Sequence, residues 1–229
     1  MSISFTWLGH SAFQFEIDGH SIIADPFLSG NPAATVSPTE VNPEIIFLSH
    51  AHGDHYGDTV DIAKRTGVKV VANNEIANYI AKQGADTHGQ NPGGSFDHGF
   101  VTAKWTVAFH SSSFPDGTYG GEANGFILTG KDSGMKLYFA GDTALFSDMA
   151  LIGDHDIDVA FLPIGDNFTM GIEDSVKAVQ FIRPRYVVPM HYNTFPLLQQ
   201  DANAWAEQVK NETTAIPVVL PVNGSFELD

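Results

Sequence analysis

The densest chemistry in the chain lies in His50, His52, Asp54 and His55, which stand together as HAHGDH directly after the apolar run 45–48 and Ser49. Such a run predicts a buried strand, with the hexapeptide as a loop at its end. Side chains two apart point the same way in extended chain, so His50 and His52 can grip one metal while Asp54 and His55 turn toward a second. With 10 His among 229 residues, HxHxDH arises by chance in about 0.0015 of such chains. The grouping therefore reads as a ligand set.

Other strand ends carry the same residue types. The stretch 100–110, FVTAKWTVAFH, alternates as a half-buried strand ending in His110; KLYFAGD ends in Asp142; the strand 186–190 runs straight into His191 in VVPMHYNTFP. Collected, His50, His52 and His110 form one set and Asp54, His55 and His191 a second, with Asp142 able to bridge them. His10, in the turn GHS, also ends a strand and is the candidate outside the ligand set for contacting substrate or donating a proton. His20, His88, His98 and His155 lie in polar or Gly-rich surroundings without ligand spacing and read as solvated. The chain has no cysteine, so disulfides and thiolate ligands are excluded. Imidazole with carboxylate suits zinc first, and manganese or iron also fit.

The elements that must hold these groups can be read in order. Residues 3–25 predict three short strands with Asp18-Gly19 as a hairpin turn, followed by an irregular connection over 27–43 that could rim a pocket. A short helix over 58–66 ends at Gly67, 68–72 is a buried strand, and Asn73 or Asn74 caps a helix that stops at Gly84. This strand and helix alternation implies parallel pairing with helices outside. Residues 90–99 and 111–124 read as loops, 125–130 and 136–142 as strands, and Asp142 as the cap of a helix of about ten residues. A further strand precedes the loop 166–171 and a helix over 172–182; a last helix over 201–211 and the run IPVVLPV complete a sheet. No linker or low-complexity tract interrupts 1–229, so one domain is expected.

Composition narrows the partners. Hydrophobic content of 43% supports a sizeable core, and a formal charge of -16 repels nucleic-acid backbones and anionic membrane surfaces. No apolar run reaches membrane-spanning length and no basic leader opens the chain, so the expected location is the cytoplasm. Monomer and homo-oligomer are equally compatible with these features.

The motifs HAHGDH, GDT at 141–143 and PMH at 189–191 resemble the metallo-β-lactamase superfamily over nearly the whole chain. GHSAF at 9–13, Asp25-Pro26, LPIGDNFTMG at 162–171 and PMHYNTFP at 189–196 are similar to a small family of metal-dependent hydrolases related to ascorbate-phosphate lactonases and N-acyl phosphatidylethanolamine phospholipases. The resemblance implies an α/β fold, a four-layer αββα sandwich, with a dinuclear site along one sheet edge.

Charge then suggests a mechanism. Two divalent ions set against Asp54, Asp142 and a bridging hydroxide leave about +1, which attracts an anionic or strongly polarised substrate. Such ions lower the pKa of water toward ~7. The expected function is hydrolysis of a small phosphoester, ester or lactone by that hydroxide, with Asp54 orienting it. The alternatives are a nuclease or phosphodiesterase, an iron-dependent oxidoreductase, and a metal-binding protein without catalysis.

Overall fold

Phe13, Phe15 and Ile17 alternate with Gln14 and Glu16, a pattern satisfied by a sheet with one face buried. The computed structural model describes residues 3–228; Met1, Ser2 and Asp229, the ends of the expected 1–229 unit, lie outside the described residues. In chain order the first sheet takes β1 (Ile3–Gly9), β2 (Ala12–Ile17), β3 (His20–Ala24), β4 (Ile45–Phe47), β5 (Lys69–Ala72) and β6 (Thr87–Gly89). The second takes β7 (Ser95–Asp97), β8 (Val101–Val107), β9 (Asn124–Gly130), β10 (Lys136–Phe139), β11 (Val159–Pro163), β12 (Tyr186–Met190) and β13 (Ile216–Pro217). Finally β14 (Ser225–Glu227) returns to the first sheet beside β1. The helices are α1 (Gly53–Tyr56), α2 (Thr59–Thr66), α3 (Asn74–Ala81), α4 (Met149–Gly153), α5 (Ile172–Ile182) and α6 (Ala202–Glu212). Among the described residues no helix is long and apolar enough to cross a membrane.

Strand direction explains where function can sit. β1 and β3 run together because both pair antiparallel with β2, and β4, β5 and β6 continue parallel to β3. In the other sheet β10 to β13 are parallel, and β8 shares their direction through antiparallel β9. The carboxyl ends of β1, β3, β4, β8, β10 and β12 are followed by His10, Asp25, His50, His110, Asp142 and His191. A backbone bond joins the two sheets at this end: the His191 N–H donates to the His10 carbonyl, 3.0 Å away.

The space between the sheets is filled by aromatic rings. Phe161 on β11 lies 4.9, 4.8 and 5.1 Å from Phe5, Phe13 and Phe15 of the facing sheet, all near edge-on, the arrangement ring quadrupoles favour. On the outer face of the first sheet a second cluster, including Ile23, Leu48, Val70, Ile62 and Ile76, seats α2 and α3. The expected layered sandwich is therefore present, with helices flanking both sheets.

Several local expectations are corrected. The strand expected to reach His110 ends at Val107, because Phe109 leaves the ladder to donate to Thr143 Oγ1 at 3.0 Å and accept from the Ala144 N–H at 3.1 Å. Asp142 caps no helix; the segment after it is irregular and α4 begins only at Met149, with Asp148 at its cap position. The loop 90–99 contains the edge strand β7, whose three residues are all exposed and so show no apolar alternation. Of IPVVLPV only Ile216–Pro217 pairs, and β14 was not anticipated.

Replacing Phe161 with Ala should lower unfolding free energy by about 3–5 kcal/mol, measured by urea titration. A loss no larger than that of an exposed substitution would show that the inter-sheet ring cluster does not hold the two sheets together.

Candidate metal centre

Three strand ends stop in a conformation L-residues avoid: His10, Asp25 and His191 have φ of 55, 43 and 58°. Each costs on the order of 1–2 kcal/mol. From the turn that results, each side chain reaches the group gathered at the strand ends. Gly165 allows the closest approach here, since a Cβ there would lie 2.1 Å from the His191 carbonyl oxygen.

What converges is a ring of imidazoles around one carboxylate. Asp142 Oδ2 lies 2.9 Å from His191 Nε2, 3.2 Å from His55 Nε2, 3.6 Å from His110 Nε2 and 3.9 Å from His50 Nε2. On one side His50, His52 and His110 bring ring nitrogens within 4.8 Å of one another, with His50 Nε2 and His52 Nδ1 only 3.0 Å apart. On the other, His10, Asp54, His55 and His191 do the same. The structure thus brings together every residue of the two sets read from the sequence, and Asp142 stands between them.

A buried carboxylate behind the ring fixes the tautomers. Asp25 is fully buried and acceptor-only when ionised; it takes the Ser49 N–H at 2.7 Å, the Ser49 hydroxyl at 2.5 Å and His55 Nδ1–H at 2.7 Å. Since the Ser49 proton is given to Asp25, its oxygen must accept from His50 Nδ1, 3.0 Å away. Both rings are left with Nε2 facing the centre, the arrangement a metal-binding histidine requires. In the sequence Asp25 ends the third predicted strand and belongs to a motif of the resemblance, but it was not placed near the metal site. The strand-end criterion applied to Asp142 would have found it.

His10 is held from both sides. Nε2 lies 3.2 Å from Asp54 Oδ2 and Nδ1 lies 2.9 Å from Thr194 Oγ1. Burial pushes His10 down to about 4, against the pull of Asp54, so the ring is neutral. Its single proton must then sit on Nε2, donated to Asp54, and Thr194 donates its hydroxyl to Nδ1. The expected substrate contact at His10 meets a steric obstacle, because the residue is fully buried; the geometry gives it a hold on Asp54.

The electrostatics ask for a cation. Burial alone would raise Asp142, but the charges of His191 and His55 outweigh it and hold the carboxyl well below its usual range. Burial drives His50 well below an ordinary histidine, reinforced by His55. For His55 burial works downward, yet Asp142 and Asp25 together raise it well above; in the chain alone a proton serves a need that a metal ion serves better. Asp142 Oδ1 is buried without a hydrogen-bond partner, and His55 Nε2 faces Asp142 Oδ2 at 3.2 Å without hydrogen-bond geometry. Nitrogen and carboxylate donors around an orphaned buried oxygen fit a transition metal.

Positive side chains stand elsewhere. Lys69 and Lys136 open β5 and β10, Lys131 lies in the turn before β10, and Arg183 and Arg185 lead into β12. Lys64, Arg65, Lys82 and Lys210 lie at the ends of α2, α3 and α6, which run back toward the amino ends of the next strands. Lys104 and Lys177 are midway along β8 and α5. These account for all 11 Lys and Arg. The 5 residues of β12 alone separate its two ends by about 17 Å.

The other histidines stay out of the cluster, though not all as expected. His88 lies on β6, half-buried against Phe96 with ring centroids 4.1 Å apart, and burial and His88 push the half-buried His98 down to about 4. Neither is simply solvated, because the edges of the two sheets close over them. His20 bonds Glu44 at 2.9 Å and stacks on Phe100.

Two mixed sheets with such a cluster at one edge define the metallo-β-lactamase fold, and the family described as a beta-lactamase superfamily domain matches residues 4–191. A UPF0173 metal-dependent hydrolase of Thermus thermophilus is 50% identical over 206 residues, 90% of this chain and 91% of the relative. One of Bacillus cereus is 49% identical over 211 residues, 90% and 92% respectively. Igni18, described as a novel metallo hydrolase of Ignicoccus hospitalis, superposes with a TM-score of 0.91 at 34% identity, covering 100% of this chain and 99% of that one. The chain belongs to the UPF0173 family of metal-dependent hydrolases, within the metallo-β-lactamase superfamily.

Asp25→Ala leaves His55 Nδ1 and both Ser49 donors without an acceptor in a fully buried place. Stability should fall by on the order of 3 kcal/mol, and metal retained after gel filtration should fall with it. Full metal content at an unchanged melting temperature would remove Asp25 from its supporting role.

Proposed function

We propose that the chain hydrolyses a small molecule at a dinuclear centre, with His50, His52 and His110 holding one ion, Asp54, His55 and His191 the other, and Asp142 shared. The observation that carries this reading is the position of Asp142 Oδ2, within 3.9 Å of Nε2 atoms from both sets. The donor set is nitrogen and oxygen only, which zinc accepts and which manganese and iron also fit; zinc is the ion taken here. Two divalent ions there would supply Lewis acidity and a water acidified toward pKa ~7.

The roles of the chain's own groups follow from reach. The Asp142 side chain is 3% exposed and that of Asp25 0%, whereas that of Asp54 is 33% exposed. Burial would raise Asp54, but the His10 hydrogen bond and His55 reverse it, keeping the carboxylate ionised. Asp54 is therefore the base that a substrate and its attacking water can approach, and it orients that water and receives its proton. His10, locked by Thr194, holds Asp54 in place and acts on the reaction only through it. A charge of -16 with cations distant from the site gives a long polyanion no counterion-release gain, so small molecules are favoured over DNA or RNA.

Zinc-loaded protein should turn over members of a panel of chromogenic esters and phosphoesters, and chelator-treated protein should not. Asp54→Asn should lower kcat by about 10²–10⁴-fold. Absence of turnover across the panel by protein with its metal verified would overturn the hydrolase reading.

A further inference from the structure

Two aromatic rings beside the centre belong to neither hydrophobic cluster. Phe27 and Phe195 are half-buried, meet His10 edge-on with ring centroids 5.9 and 5.6 Å away, and lie 6.5 Å from each other. Their backbones are fixed. The Phe27 N–H donates to Asp25 O at 2.7 Å, the Leu198 N–H donates to Phe195 O at 2.9 Å, and Gly57 lets the chain pass against Phe27, where a Cβ would lie 2.5 Å from its Cα. The loops 27–43, 111–124 and 166–170 offer Phe27, Phe114, Tyr119, Phe168 and Met170 as candidates for an apolar wall in the sequence. Phe114 and Met170 instead lie in the core clusters, and Phe195 takes a place beside Phe27.

We propose that the centre prefers an uncharged acyl compound, an ester or lactone carrying an apolar group, over a phosphoryl ester, and that Phe27 and Phe195 hold the apolar part. This rests on the hydrolase reading above. Phosphoryl transfer spreads negative charge over three equatorial oxygens, which sites meet with Arg, Lys or metal ions. Here the described cations lie toward the far end or mid-height of the sheets, while Asp25, Asp54, Asp58, Asp142 and Asp166 share the end that holds the centre. With about +1 left after the carboxylates and hydroxide, a phosphoryl dianion brings the centre to about -1, whereas a neutral acyl compound leaves it at about +1 because the oxyanion only takes over the charge of the hydroxide. The half-buried ring faces gain by covering an apolar group. In the reaction, water oxygen bonds the carbonyl carbon and gives its proton to Asp54. The C–O bond then breaks with its electron pair, and the departing alkoxide takes that proton, leaving an acid and an alcohol, or one hydroxy acid from a lactone.

The test uses zinc-loaded full chain and three substrates sharing one leaving group: nitrophenyl acetate, nitrophenyl phenylacetate and nitrophenyl phosphate. Phe27→Ala and Phe195→Ala should each lower the phenylacetate-to-acetate ratio of kcat/KM about 10-fold, the change in that ratio appearing in KM for the phenylacetate. Metal content should not move. In a second readout, metal-free protein titrated with phenylacetamide should show shifts of the Phe27 and Phe195 ring resonances by NMR, absent with inorganic phosphate. Higher kcat/KM for the phosphate than for both esters, equal losses on acetate and phenylacetate, or phenylacetamide binding elsewhere would each overturn the proposal. Turnover confined to the phosphate leaves the hydrolase reading standing; no turnover of any compound removes both.

Discussion

One carboxylate oxygen, Asp142 Oδ2, faces the Nε2 atoms of four histidines drawn from three separate strand ends. In a largely buried place such a grouping is unstable unless something supplies or shares positive charge, because the Asp142 carboxylate, 3% exposed, has been taken out of water. Much of the surrounding backbone can be understood as holding that grouping in place. Phe109 abandons its strand to tie His110 to the 142–144 turn, and the His191 N–H crosses between sheets to the His10 carbonyl. The aromatic core in turn fixes the distance between sheets, and hence whether ligands from both can meet.

The strained residues obey the same logic. His10, Asp25 and His191 each spend backbone free energy at a turn from which the side chain reaches the gathered group, and such strain survives only where packing overdetermines it. Asp25 adds a further level. By accepting from Ser49 and His55 it sets which nitrogen of two different rings faces the centre, though it stands behind them.

Much of the centre was legible because its chemistry is concentrated at strand ends. HAHGDH after an apolar run, GDT after KLYFA and a histidine directly after VVPM all announce ligands whatever the detailed fold. Less legible were features that depend on pairing between distant segments. Thr194 meets His10 across 184 residues, and nothing in NTF announces a tautomer lock. Asp142 was misread as a helix cap because a cap and a ligand share the same residue type and setting; only the pull of Phe109 on Ala144 separates them. β6, β7 and β14 were missed because edge strands of three residues are too short to show an apolar period. Phe195 escaped notice because half-buried aromatics outside the core look, in sequence, like any other aromatic.

The account stands or falls on Asp142 being shared. Anomalous diffraction at the zinc edge from zinc-loaded crystals measures this directly. Two peaks are predicted, one among His50, His52 and His110 and one among Asp54, His55 and His191, with Asp142 within bonding distance of both. A single peak, or two peaks of which Asp142 contacts only one, would contradict it.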